Sequence, residues 1–153
     1  MTLSDTLDGP LQAGGWRPLG ETTGWDREAD LDPSGLPVYL ALLPLGDGPD
    51  APLVFLASLP VLVARDHREA AAAVVAEHAA VRVPVGTVVL EDGTIRYRLA
   101  HDPRLGRHSP RRALELATVG LDWAETVLPD LVRALGRHGV VFEDVTAGPL
   151  SYD

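Results

Sequence analysis

The stretch VVLEDGTIRYRL, from Val88 to Leu99, decides the fold because it predicts a β-hairpin with one apolar and one polar face. Asp92 and Gly93 separate two β-prone runs. A two-residue type I′ turn needs positive φ at both central positions, which these residue types tolerate. In the second run, apolar residues alternate with Arg96 and Arg98. Because successive side chains of a strand point to opposite faces, the hairpin is half of an antiparallel sheet that needs apolar cover on one side.

The segment after the hairpin predicts a long helix that can provide this cover. Ser109 is a suitable N-cap and Pro110 suits the first helical position. The helix is expected to run to about His138, and Gly120 and Pro129 are expected to kink or divide it.

Apolar residues form two rows on this helix. The first row is Leu114, Ala117, Leu121, Ala124, Leu128, Leu131 and Leu135. The second row is Leu116, Val119, Trp123 and Val127. Together they cover roughly 200° of the circumference, whereas an ordinary surface helix has an apolar stripe of about 100° or somewhat more. We expect the second row to form a homodimer or partner interface. Alternatively, the Ala-rich helix, the N-terminal segment or the tail covers it within one chain.

A second, Ala-rich helix precedes the hairpin. Asp66 and Glu69 have the spacing of a capping box, and the interior from Ala70 to Ala80 is almost entirely Ala and Val. Pro84 marks a point beyond its end.

The N-terminal half predicts a weak helix followed by a three-stranded meander. Leu3, Leu7 and Leu11 would share one helix face, although Gly9-Pro10 is expected to break or restart the helix. Strands are expected over 16–23, 38–45 and 53–59, with a turn over 32–35. The expected order is α-β-β-β-α-β-β-α in one α+β domain covering 1–153. Residues 1–15 hold the weak helix, and 139–153 form a short strand or a loose C-terminal tail.

The composition restricts the kinds of partner. The chain has 153 residues, enough for one domain with a real core, and a net charge of −9. This charge repels polyphosphates and anionic membranes, so it favours a protein partner with a basic surface and at most weak direct nucleic-acid binding. All thirteen basic side chains are Arg, a bias typical of a GC-rich bacterial genome. The longest nearly unbroken apolar run, 53–64, is too short to span a bilayer, and no targeting segment is recognised, so we expect a cytoplasmic protein.

No stretch has the pattern of a catalytic, metal or cofactor site. Asp30 to Gly35 resembles the first half of a calcium-binding loop, but Ala41 occupies the position of the required bidentate carboxylate, so the segment is better interpreted as a turn. The five histidines lack ligand spacing, there is no Cys, and no phosphate-binding loop occurs. We therefore expect no catalytic residues, no metal and no cofactor, and we expect surface or capping roles for the histidines.

An arginine cluster is the best polar candidate for a binding site. Between residues 96 and 112 there are six arginines and a single acidic residue. They are Arg96, Arg98, Arg104, Arg107, Arg111 and Arg112. The functional interpretation is an anion or nucleic-acid contact. The favoured alternative is that these arginines pair with the acidic N-terminal half and keep an exposed sheet face soluble.

The segment from the Ala-rich helix to the last helix resembles the YbjN family of bacterial proteins. The resemblance rests on four features: the helix 68–80, the PVG sequence of 84–86, the EDGTIRYR sequence of 91–98, and the leucine-rich helix after Pro110. It implies the fold of type III secretion chaperones. It also implies a non-enzymatic, dimeric protein that binds other proteins or modulates their activity, with no cofactor and no catalytic residues.

Three function classes follow. A protein-binding adaptor or chaperone-like module explains the excess apolar helix surface, the acidity and the lack of motifs. A nucleic-acid-associated protein would use the arginine cluster against the repulsion of the rest of the chain. An enzyme would need a site assembled from scattered residues.

Overall fold

The computed structural model describes residues 3–46, 51–83, 85–101 and 109–144. In this part of the chain the helices are α1 (Leu3–Ala13), α2 (Arg68–Arg82) and α3 (Pro110–Arg137). The strands are β1 (Arg17–Pro18), β2 (Trp25–Leu31), β3 (Leu36–Pro44), β4 (Leu53–Val63), β5 (Thr87–Glu91), β6 (Thr94–His101) and β7 (Phe142–Asp144). All strand pairs are antiparallel, which confirms the predicted α+β class.

One sheet contains all seven strands in the order β1-β2-β3-β4-β6-β5, with β7 paired to the far end of β4. The β5–β6 hairpin is confirmed: Asp92 and Gly93 form the turn with φ of 50° and 83°. Ile95 and Tyr97 are buried, whereas Arg96 and Arg98 point to the other face and are half-buried. The hairpin therefore has the two unlike faces that its alternation predicted.

The three helices pack on one face of the sheet, which we call the inner face. It carries Trp25, Phe55 and Tyr97 from three different strands, and all three are fully buried. Gly120 of α3 lies against the Phe55 ring so closely that a Cβ there would clash with it. The sequence predicted that Gly120 and Pro129 kink or divide this helix. The division is wrong, since α3 is one helix of 28 residues. Gly120 instead provides close approach to the sheet.

The ends of the helices agree only in part with the sequence. Ser109 caps α3 by accepting a hydrogen bond from the Arg112 backbone N–H at 3.2 Å, as predicted. The capping box at α2 is wrong, because a 3₁₀ turn over Arg65–His67 precedes the helix and His67 occupies the cap without a side-chain hydrogen bond. In α1, Leu3, Leu7 and Leu11 are buried as predicted, but the helix continues through Pro10 without a break.

The first strand of the meander is displaced from its predicted place. Only Arg17–Pro18 within the predicted range 16–23 forms a strand, while the main strand is Trp25–Leu31. The sequence WDREADL was overlooked because its outward residues are all acidic, although its period of two fits a strand. The strand predicted over 38–45 is Leu36–Pro44, and the one predicted over 53–59 continues to Val63. The turn over 32–35 is confirmed.

Of the two alternatives for residues 139–153, a short strand or a loose tail, the strand is formed by Phe142–Asp144. Phe142–Asp144 pairs with the end of β4, and the Ala64 backbone N–H donates to the Val141 carbonyl at 2.9 Å. The remaining tail residues, 145–153, lie outside the described part of the chain.

Candidate functional site

The second apolar row of α3 is not an exposed patch. Leu116 and Val127 are buried within the single chain, and Trp123 is partly buried against the core. Only Val119 is exposed, at 45% of its surface. The homodimer prediction rested on joint exposure of these four side chains, so this physical reason for it is removed.

The position of α3 on the sheet, with two other helices beside it, explains this burial. Both α1 and α2 pack against α3. Gly120, one turn after Leu116 and two turns before Val127, lies against Phe55 of the sheet, whereas Leu114 of the first row lies beside Gly14 just after α1. Apart from Val119, the second row is therefore buried within one chain, and the sheet itself provides part of its cover.

The arginine cluster is distributed over both sides of the sheet. Arg96 and Arg98 lie on the face opposite the helices, whereas Arg111 and Arg112 are exposed at the start of α3. Arg96 Nε donates to Ser58 Oγ at 3.2 Å, and Arg111 pairs with Glu115 at 3.0 Å. Arg104 and Arg107 lie outside the described residues. The four described arginines thus do not form one basic surface.

The face of the sheet that carries none of the three helices is the outer face. The strand registers place three strips of side chains on this face. The acidic strip on β2 is Asp26, Glu28 and Asp30; the central strip on β3 and β4 is Pro37, Tyr39, Ala41, Leu43, Val54, Leu56 and Ser58; the basic strip on β6 is Arg96 and Arg98. Adjacent strands lie about 4.8 Å apart, so roughly 14 Å separates the acidic and basic strips.

Solvent exposure varies along the central strip. Ala41 and Val54 are buried, Leu43 and Leu56 are half-buried, and Tyr39 exposes 40% of its surface. Large apolar side chains that remain partly in contact with water beside charged strips are typical of a surface that binds another protein.

Tyr39 is anchored to the acidic strip. Its hydroxyl donates to Asp26 Oδ2 at 2.7 Å, and Arg17 Nε donates to Asp26 Oδ1 at 3.2 Å. Partial burial, then the hydrogen bond to Asp26 and the negative charge there, raise the pKa of Tyr39 to about 12. The ring is therefore neutral and held in a fixed position at physiological pH.

A groove of about 380 Å³ opens at the acidic end of the outer face. It is lined by Glu28, Ala29, Asp30, Pro37, Val38, Tyr39 and Pro60. Sequence reasoning missed this groove because its members come from three strands. The signals present were the alternating acids of WDREADL and the proline in each of two neighbouring strands.

A smaller groove of about 230 Å³ lies between α2 and α3 beside His78. His78 is buried, which corrects the expectation of surface or capping roles for the histidines. Its Nε2 atom lies 3.7 Å from Asp130 Oδ2 and has no hydrogen-bond partner. Because the Nε2 atom is shielded from solvent, a ligand in the groove cannot reach it. His78 instead forms a contact between α2 and α3.

Within the described ranges, no group of three or more His, Asp or Glu side chains could hold a metal ion. No helix in the same part of the chain has the length and apolarity needed to cross a membrane.

Comparison of the chain with protein-family models, with curated proteins and with solved structures finds no match.

Proposed function

We propose that this chain is a non-enzymatic protein-binding module, of adaptor or chaperone-like type, that binds and modulates a partner through the outer face of its sheet. The observation that carries the proposal is the outer face itself. It places a half-buried apolar strip between an acidic and a basic strip, and the three helices lie on the other side.

The arrangement of charge favours recognition over catalysis. Complementary charges at the rim of an apolar contact fix the orientation of a partner and suppress wrong partners. We expect the partner to be a protein with a basic surface, such as one that handles nucleic acid, because the whole chain carries a charge of −9. The resemblance to the YbjN family supports the same function class.

A peptide library displayed on phage tests the proposal. The purified chain should enrich a defined set of sequences, and Leu56→Glu, at the centre of the outer face, should abolish capture. Val119→Glu is the matched control, because Val119 is exposed on α3 on the opposite side of the sheet. Circular dichroism should show equal folding of the two variants. Enrichment of no sequence, or equal loss in both variants, would contradict the proposal.

The alternative of direct nucleic-acid binding receives less support from the geometry. Arg96 is engaged by Ser58 and lies 3.7 Å from Glu91, which leaves Arg98 as the arginine on the outer face without an ion pair among the described residues. We expect binding to be weak at physiological ionic strength, where charges are screened within about 8 Å. A gel shift with nanomolar affinity under these conditions, lost in Arg96→Glu with Arg98→Glu, would favour the alternative.

Homodimerisation stays a prediction, and its interface would have to differ from the second row of α3. Strand β5 lies at one end of the strand order, so its outer edge is the place where we would expect a second copy to pair. Sedimentation equilibrium at micromolar concentration gives the answer directly, since the monomer mass is 16.3 kDa.

A further inference from the structure

The groove at the acidic end of the outer face exists because the sheet divides there. Pairing between β3 and β4 ends at Tyr39 and Ser58. Continuing that register would place Pro37 opposite Pro60, and neither residue has a backbone N–H to donate. The prolines therefore end the pairing, and the two strands separate.

Strand β7 shows where β4 goes after this separation. Leu62 pairs with Thr94 of β6 and also with Glu143 of β7. Because a strand has only two edges, β7 occupies the edge of β4 that faced β3 before the division. The groove thus lies beside Pro60, between Ser58, where pairing of β4 with β3 ends, and Val61, where pairing with β7 begins.

The walls of the groove combine two chemical properties. Pro37, Pro60 and the exposed ring of Tyr39 form its apolar part. Glu28 lies opposite Tyr39 and Asp30 opposite Pro37, on the same face of β2. Residues two apart in a strand are separated by about 6.6 Å. Neither carboxylate has a hydrogen bond or an ion pair within the described part of the chain.

The neighbouring Asp26 shows which groups donate hydrogen bonds to a carboxylate of the acidic strip. Asp26, two residues before Glu28 on the same strip, is paired with Arg17 and with the Tyr39 hydroxyl. Glu28 and Asp30 have no equivalent arginine from this chain.

We infer that this groove binds an arginine side chain of an extended segment of the partner protein, with the guanidinium stacked on Tyr39 and paired with Glu28 and Asp30. The inference rests on the proposed function and specifies the partner chemistry at one end of the same face. A planar guanidinium can stack on an aromatic ring and donate to carboxylates at once, whereas a lysine ammonium is a hydrated point charge that does not stack. A nucleic acid is excluded from this subsite by its two unpaired carboxylates.

The probe for this inference is N-acetyl-arginine-N-methylamide, titrated into the full chain and followed by amide NMR. Shifts should be confined to residues 28–30 and 38–39 and should saturate. The citrulline analogue, which has the same shape without the charge, should produce no saturating shift. The lysine analogue should bind at least threefold more weakly than the arginine compound.

Two double variants and one single variant separate specific binding from general electrostatic attraction. Glu28→Gln with Asp30→Asn should weaken binding of the arginine probe at least tenfold. Glu69→Gln with Asp122→Asn removes the same charge from exposed positions on α2 and α3 and should leave the affinity unchanged. Tyr39→Leu should reduce the preference for the arginine probe over the lysine probe, which a purely electrostatic site would not do.

Three results would overturn the inference. They are the absence of shifts with the arginine probe, equal weakening in both double variants, and shifts of the same groups when only the protein concentration is raised, which would place a second copy in the groove. These outcomes are distinct from failure of the proposed function. If the library is captured and lost on Leu56→Glu while the arginine probe does not bind, only the subsite is wrong.

Discussion

The two faces of the sheet are built from alternate residues of the same strands, yet they differ in how tightly the structure constrains them. On the inner face, Phe55 contacts Gly120 of α3 without room for a methyl group, and Trp25 donates to Asp8 of α1 at 2.8 Å. On the outer face, Tyr39 is partly exposed, and Glu28 and Asp30 have no partner within the described residues. Inner-face residues thus determine how the helices pack, while outer-face residues remain available for recognition.

The largest expected effect tests the inner face at its closest contact. Gly120→Ala places a Cβ in the Phe55 ring, so α3 must move away from the sheet. Overpacking of this kind costs about 1–3 kcal/mol or more, which exceeds the gain of about 1 kcal/mol in helix propensity. Urea unfolding should show a loss of stability.

Gly136→Ala is the matched control in the same helix. A Cβ at Gly136 meets nothing within 4 Å, so only the propensity term applies and the variant should gain about 0.5–1 kcal/mol. Equal signs for the two substitutions would mean that α3 does not lie against Phe55 as described.

The hydroxyl of Tyr97 gives the next largest effect. It is buried and donates to the Val85 carbonyl at 2.8 Å, so Tyr97→Phe should cost about 1–2 kcal/mol. Burial raises the pKa of Tyr97 from 10.0 to about 12. The folded state therefore keeps a proton that the unfolded state loses, and this contribution to stability is present below pH 10 and lost as the pH rises through 12.

The free energy of unfolding of the wild type and of Tyr97→Phe, measured between pH 10 and pH 12, checks this assignment. The wild type should lose more stability over this interval than Tyr97→Phe, because the variant lacks the titrating group. Parallel curves would show that Tyr97 is not the source of the slope.

Local signals predicted the parts of the fold that depend on neighbouring residues. The Asp92-Gly93 turn and the Ser109 cap were found because each needs only a few adjacent residues. The second row of α3 was misinterpreted because its cover comes from strands and helices of the same chain that are distant in sequence. The same limit applies to the groove, since Pro37 and Pro60 align only through the strand register.

The Ser109 cap allows a smaller test on the helix that covers the inner face. Ser109→Ala removes the acceptor for the Arg112 N–H and should cost about 1 kcal/mol. Thr118→Ala removes a hydroxyl that donates to the Leu114 carbonyl on an exposed part of the same helix. Because Ala has the higher helix propensity, this control should be neutral or stabilising by a few tenths of a kcal/mol. Equal changes in stability for Ser109→Ala and Thr118→Ala would mean that Ser109 does not cap α3.

The smallest expected effect is on the outer face and uses the same chemical change as Tyr97→Phe. Tyr39→Phe removes a hydrogen bond to Asp26 from a side chain with 40% exposure, so the change in stability should stay within about 0.5 kcal/mol.

The two tyrosines share a raised pKa of about 12, but burial alone raises the pKa of Tyr97, whereas the hydrogen bond and charge of Asp26 add to burial at Tyr39. Asp26→Asn should therefore lower the pKa of Tyr39 and leave that of Tyr97 unchanged. Spectrophotometric titration of the phenolates can resolve this in a chain that also carries Tyr152→Phe, and a shift of both groups would mean that the two faces are not electrostatically separate.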